Sequence, residues 1–157
     1  MLDTTVPAST ARPGHRRRSC LVAVDGTRSG VDALVWGLRY AVDHDMDVEV
    51  LTVWPSHSSV LVHDVPGHFC APRWSARVAQ EATVREAVDT VRTAPAVMTT
   101  LENADAAEAI VHASARHDLV VLGSRRARGA HRFTSRIFDG ATCDVVVVGP
   151  PPQGDRS

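Results

Sequence analysis

The residues best suited to chemistry stand in two short stretches, each at the end of an apolar run. Asp25-Gly26-Thr27 closes the run Cys20 to Val24, and Gly123-Ser124 closes Leu119 to Leu122. Behind the second stretch come Arg125, Arg126, Arg128, Arg132 and Arg136. Asp25 supplies acceptors only, which suits a ligand amino group or hydroxyl. The competing reading is that it caps its own turn. The arginines are strong phosphate donors, or else a solvated basic face. Gly123 would let backbone come close to a ligand.

A catalytic set is missing. There is no GxSxG, no HExxH and no Cys/His pair at an interpretable spacing, and Ser124 has no evident base. The chain has no lysine, which removes Schiff-base and lysine–phosphate mechanisms, and no GK[ST] occurs, so it is not a P-loop. The expectation is a binding module rather than an enzyme. A second reading is a slow ATPase or nucleotidyl transferase. A third is a metal or redox sensor, because His57, His63, His68 and Cys70 cluster in one segment and are good transition-metal ligands. Their spacing fits no zinc pattern, and a solvated loop is the plainer reading. His117-Asp118 reads as a cap at a helix C-terminus, and Cys143 as a small buried residue.

The elements that must position these residues follow from periodicity. Leu119–Leu122 is an unbroken apolar run, as in a strand buried on both faces of a parallel sheet. Cys20–Val24 and Asp47–Trp54 are two more strands. Ala96–Leu101 is a weaker one, and Val145–Val148 is four consecutive valines. Between them the pattern predicts a helix after an N-cap at Ser29, with Val31, Leu34, Val35, Leu38, Ala41 and Val42 at helical spacing and Trp36 packing. A long loop is expected from Ser56 to Arg73, then a helix from about Ser75 to Arg92 with Val78, Ala82, Val84, Val88 and Val91 near one face. A third helix is capped by Asp105, and a short fourth lies near Arg132–Ala141. Strands alternating with helices predict an α/β fold: a single-domain, doubly wound, parallel sheet. Ligands of such sheets sit outside the carboxyl ends of the strands.

Length and composition agree. The chain has 157 residues, 44% hydrophobic and 22% charged, with a net charge of −1, which fits one domain with a proper core. The charge gives no reason to expect nucleic acid or an anionic membrane. Cys20, Cys70 and Cys143 are odd in number and far apart, which argues against a disulfide framework or a four-thiolate zinc site. No run is long enough to span a bilayer. Arg16–Arg18 precede too short an apolar stretch for a secretory signal, so a cytoplasmic protein is expected. Residues 1–18 and 151–157 read as disordered tails around a domain from 19 to 150. The third strand is the most polar and suits a sheet edge. The valine strand at the other edge calls for a cover, and a homodimer through Val145–Val148 supplies one.

Three segments carry a resemblance. LVAVDGTRSGVDALVWGLRYA, ENADAAEAIVHASARHDLVVLGSR and CDVVVVGP resemble, in order, the opening strand and helix, the third helix with the fourth strand, and the closing strand of the universal stress protein family. The resemblance implies a five-stranded sheet of order 3-2-1-4-5, dimers through the last strand, and ATP, with magnesium, as candidate cofactor. It implies nucleotide contacts from Asp25, Gly26 and Thr27, from the backbone of Val53, and from Gly123, Ser124, Arg126, Gly129 and Arg132. Asp25 and Asp118 could hold the magnesium through the nucleotide.

The phosphate side departs from the family pattern, which has two spaced glycines and, further on, a glycine followed by a hydroxyl residue. Arg126 stands where the second glycine would, and the loop is shortened. One alignment puts His131-Arg132 at the glycine–hydroxyl pair, and another puts Thr134-Ser135 there. A glycine loop offers successive backbone N–H groups to an anion. A side chain at a left-handed position is disfavoured and fills the phosphate's space. The expectation is a stress-response regulatory module with weak or lost ATP binding, unless arginine side chains replace the lost donors.

Overall fold

The computed structural model describes residues 16–54, 65–125 and 129–152. Nine elements alternate along them: β1 (Ser19–Ala23), α1 (Arg28–His44), β2 (Asp47–Trp54), α2 (Ala71–Val91), β3 (Val97–Asn103), α3 (Ala106–Ser114), β4 (Leu119–Gly123), α4 (Ala130–Gly140) and β5 (Asp144–Val148). The strands form one parallel sheet, as the alternation predicts, in the order β3-β2-β1-β4-β5 that the resemblance implies. The polar third strand and the valine strand are its two edges.

The period-2 geometry of a strand divides the core into two layers. Val22 of β1 and Val24 just beyond it, Val48 and Val50 of β2, and Val121 of β4 face Leu34 and Leu38 of α1. Their neighbours Leu21, Leu51, Val53, Val120 and Leu122 face the other way, onto Ile110 of α3 and Ile137 of α4. This is why β1, β2 and β4 read as continuous apolar runs: both faces are covered. Ile137 is the one buried side chain of α4, so it anchors that helix.

Several boundaries differ from the pattern reading. Thr27, not Ser29, is the N-cap of α1. Helix α2 begins at Ala71, with Pro72 in its first turn, where proline is tolerated because those N–H groups have no helical partner. Its buried residues are Gln80, Thr83 and Ala87, while Val78 is exposed. Val84, Val88 and Val91 pack against the core as their spacing predicts, but the buried positions beside them include Gln80, which donates from Nε2 to the carbonyls of Val50 (3.1 Å) and Thr100 (2.8 Å). Helix α4 begins two residues earlier than expected, after Gly129, whose φ of 84° favours glycine. Cys20 is buried, and burial pushes its thiol up to about 12. Cys143 is only half-buried.

The His117-Asp118 pair does not cap α3. The His117 ring is buried at the amino end of the sheet, its Nδ1 2.9 Å from Ser19 Oγ. Its Nε2 lies 2.9 Å from Glu49 Oε2 without the alignment of a hydrogen bond. Glu49 in turn accepts from Thr100 Oγ1 at 2.9 Å. Asp118 accepts from the Ser19 N–H at 2.8 Å and pairs with Arg16. Arg17 pairs with Asp45 and Asp47. Arg16 and Arg17 stay largely solvated, at 59% and 57% side-chain exposure, while tying residues assigned to the tail onto the sheet.

Candidate functional site

In this strand order β1 and β4 are neighbours, and the chain winds away from them in opposite directions. The Ala23–Leu122 pair is the last of their ladder. The residues just beyond, Asp25 on one side and Gly123 to Arg125 on the other, therefore meet at the switch point where open α/β sheets bind ligands. Val53 of β2 follows the Ala23–Leu51 pair by two residues, level with Asp25. Sequence spacing could identify these stretches, but only the sheet order makes them adjacent.

Asp25 is half-buried and fully engaged. Its Oδ1 accepts from the Thr27 N–H at 3.1 Å and from Thr27 Oγ1 at 2.5 Å. The Thr27 hydroxyl also lies 3.0 Å from Ser29 Oγ. Its Oδ2 forms an ion pair with Arg125 Nη2. The turn-capping role weighed against a ligand role is thus present, and Arg125 adds a bond that spans the crevice. The Arg125 guanidinium also lies 5.6 Å from the centroid of the Phe133 ring on α4, a cation–π distance. Burial pulls the Arg125 pKa down, because a low-dielectric setting disfavours the charged form.

Gly123 has a different use from the one its position suggests. A Cβ there would lie 2.6 Å from the carbonyl carbon of Ser29 and 3.0 Å from the Ser29 Cβ. The space is taken by the first turn of α1, not left for a ligand. The Ser124 N–H is also spent, donating to Val148 O at 2.9 Å. At Gly129, by contrast, nothing stands within 4 Å of a built Cβ. Arg132 lies exposed in the first turn of α4, where backbone N–H groups lack helical partners. Phe133, next to Arg132, brings this turn to the crevice through Arg125. Arg126 and Arg128 lie outside the described residues, as do His57 and His63.

Arg136, counted among the phosphate donors, is committed elsewhere: its Nη2 lies 3.0 Å from Asp105 Oδ1. Asp105 caps α3 as expected, accepting from the Glu108 N–H at 3.0 Å. That bond, with Arg136, holds its carboxyl below the usual range. Asp118 cannot share a magnesium ion with Asp25. It precedes β4 while Asp25 follows β1, so the two carboxylates stand at opposite ends of parallel strands, roughly 16 Å apart for a five-residue strand. No group of three or more His, Cys, Asp or Glu side chains able to hold a metal occurs among the described residues. The strand order implied by the resemblance set Gly123-Ser124-Arg125 opposite Asp25-Gly26-Thr27, but the ion pair itself has no sequence signature.

A doubly wound parallel sheet with Asp25 and Arg125 meeting at its switch point defines an α/β domain of the Rossmann-like class. The universal stress protein family model matches residues 16–149, and the chain belongs to that family. No curated protein matches it. Among solved structures it is similar to a universal stress protein in complex with cAMP, with 16% identity, 83% of this chain and 96% of that one covered, and a TM-score of 0.64. It is similar to an Arabidopsis thaliana universal stress protein family protein with AMP bound, at 18% identity, 88% and 97% coverage, and a TM-score of 0.57. It is also similar to the Archaeoglobus fulgidus universal stress protein in complex with dAMP, at 15% identity, 84% and 97% coverage, and a TM-score of 0.58. Among the described residues no helix is long and apolar enough to cross a membrane.

Proposed function

We propose that this protein is a regulatory binding module, one folded unit from residue 19 to 150, that takes an adenine nucleotide weakly at the β1–β4 crevice and turns nothing over. The observation that carries the reading is Asp25, a half-buried carboxylate at the carboxyl end of β1, facing the arginine turn across the switch point. A carboxylate there can accept from an adenine amino group or a ribose hydroxyl, with the Val53 backbone beside it. The cAMP, AMP and dAMP complexes of relatives support adenine nucleotides as the ligand class.

Weakness follows from the phosphate side. Ser124 has no backbone donor to offer, and Arg136 is held by Asp105. What remains for phosphate among the described residues is the first turn of α4, with Gly129 and Arg132, and the Arg125 side chain. The expected absence of turnover rests on the same site: among the described residues, no histidine and no carboxylate other than Asp25 hydrogen-bonds Ser124 or Thr27. The test is calorimetry of ATP with magnesium, with Asp25→Ala as control. The expected dissociation constant is about 0.1–1 mM, with binding lost in the variant. Micromolar binding that survives Asp25→Ala would overturn the assignment.

The module works as a homodimer through β5. Val147 is 39% exposed on this edge strand and Phe138 of α4 is 52% exposed beside it. Together with Trp36, Tyr40, Val145 and Val146, Phe138 lines a groove. An apolar edge strand with an open ladder is a template for pairing, and a second copy covers it.

A further inference from the structure

We propose that Arg125 is a latch across the crevice, and that a ligand must carry a phosphate to release it. The inference rests on the nucleotide reading above and adds a selection rule to it: the site favours adenosine phosphates over adenosine.

Both carboxylate oxygens of Asp25 are occupied in the ligand-free protein. Oδ1 holds the Thr27 N–H and hydroxyl, and Oδ2 holds Arg125. The Thr27 bonds belong to the turn that starts α1 and cost the fold little to keep. The Arg125 bond comes from the opposite side of the switch point, so it lies across the space a nucleoside would enter. It is also sheltered: the two side chains are 17% and 28% exposed. Breaking it leaves two charges partly out of water, and unpairing one partner of a sheltered pair is costly.

A nucleoside offers nothing in return. Its amino and hydroxyl groups can replace Arg125 on Asp25, but it has no anion for the released guanidinium. A phosphate does. Guanidinium pairs with phosphate in the same forked geometry it uses for carboxylate. Phe133 keeps Arg125 near the first turn of α4, where helix N–H groups favour an anion. The exchange is then one ion pair for another: Arg125 passes from Asp25 to the phosphate, and the nucleoside takes the vacated oxygen. The Arg125 side chain is thereby both the closed-state plug and the open-state phosphate donor.

The experiment titrates adenosine and AMP separately into the full chain by calorimetry, and repeats both with Arg125→Ala and Arg125→Met. The methionine variant keeps an apolar stem against Phe133, which guards against a folding defect in the alanine variant. Native protein should bind AMP about ten- to a hundredfold more tightly than adenosine, the factor one charged hydrogen bond supplies. In both variants adenosine should bind more tightly than to native protein and AMP less tightly, so that the ratio falls towards one. Equal affinities in native protein, or a ratio unchanged in both variants, would overturn the latch while leaving the nucleotide site standing. If neither ligand binds native protein or any variant, the nucleotide reading falls and the latch falls with it.

Discussion

Replacing Gly123 by alanine separates two explanations for a glycine at a ligand-facing strand end. If the residue is glycine so that a phosphate can approach, the ligand-free protein should tolerate a methyl group. The packing says otherwise. The added Cβ would meet the Ser29 carbonyl carbon at 2.6 Å and its Cβ at 3.0 Å, whereas carbon atoms settle at about 3.5–4.0 Å. The obstacle is the backbone of the first turn of α1, which cannot swing aside like a side-chain tip. Either α1 or β4 must move by about 1 Å, in a region where Leu34, Val22 and Val121 are already close-packed. Overpacking of this kind costs about 1–3 kcal/mol. Urea unfolding followed by circular dichroism should show the midpoint lowered by about 1 M with an unchanged slope, for a slope of about 2 kcal/mol/M. Gly149→Ala is the control, because nothing lies within 4 Å of a Cβ there and its φ is ordinary; its midpoint should not move. Native stability in Gly123→Ala without nucleotide would refute the packing argument and return the glycine to a ligand role.

Two further outcomes are expected. Burial holds the His117 pKa below its ordinary value, with the nearby Arg116 and Arg16 adding to that and Glu49 opposing it. The native ring thus refuses a proton that the unfolded chain takes up below about pH 6.5. This contribution to stability is present above that pH and lost as pH falls through the lower native value. His117→Gln should flatten stability against pH below about pH 6.5, measured by urea unfolding at several pH values; curves parallel to native would sink the idea. Val147→Glu places a charge on an edge strand where Val147 is 39% exposed. It should convert dimer to monomer in sedimentation velocity while leaving the circular dichroism spectrum intact, and a dimer that persists would move the interface elsewhere.

Much of the architecture was legible because burial on both faces leaves a mark that needs no partner to be read. Leu119–Leu122 and Cys20–Val24 are apolar throughout, since each alternate residue faces a helix layer. The polarity of the stretch read as Ala96–Leu101, which folds as Val97–Asn103, marked an edge for the converse reason. Asp105 announced a helix start because a cap is a local event, made with the N–H three residues on. Helix α2 was read less well. Val84, Val88 and Val91 do pack inward, but Gln80, Thr83 and Ala87 are buried deepest, and no hydropathy pattern shows that an amide will bridge two strands.

The elements, the sheet type and the two turns that bear chemistry depend on residues near one another in the chain, so residue order was enough to find them. What those turns do depends on contacts between distant residues. Asp25 and Arg125 are a hundred positions apart, and only the strand order makes them an ion pair. The same distance law turned His117 from a helix cap into the buried neighbour of Glu49 and Ser19, sent Arg136 to Asp105, and set Asp118 at the far end of the sheet from Asp25. Charges act through space with strengths fixed by separation and burial, and neither quantity is written in the order of residues.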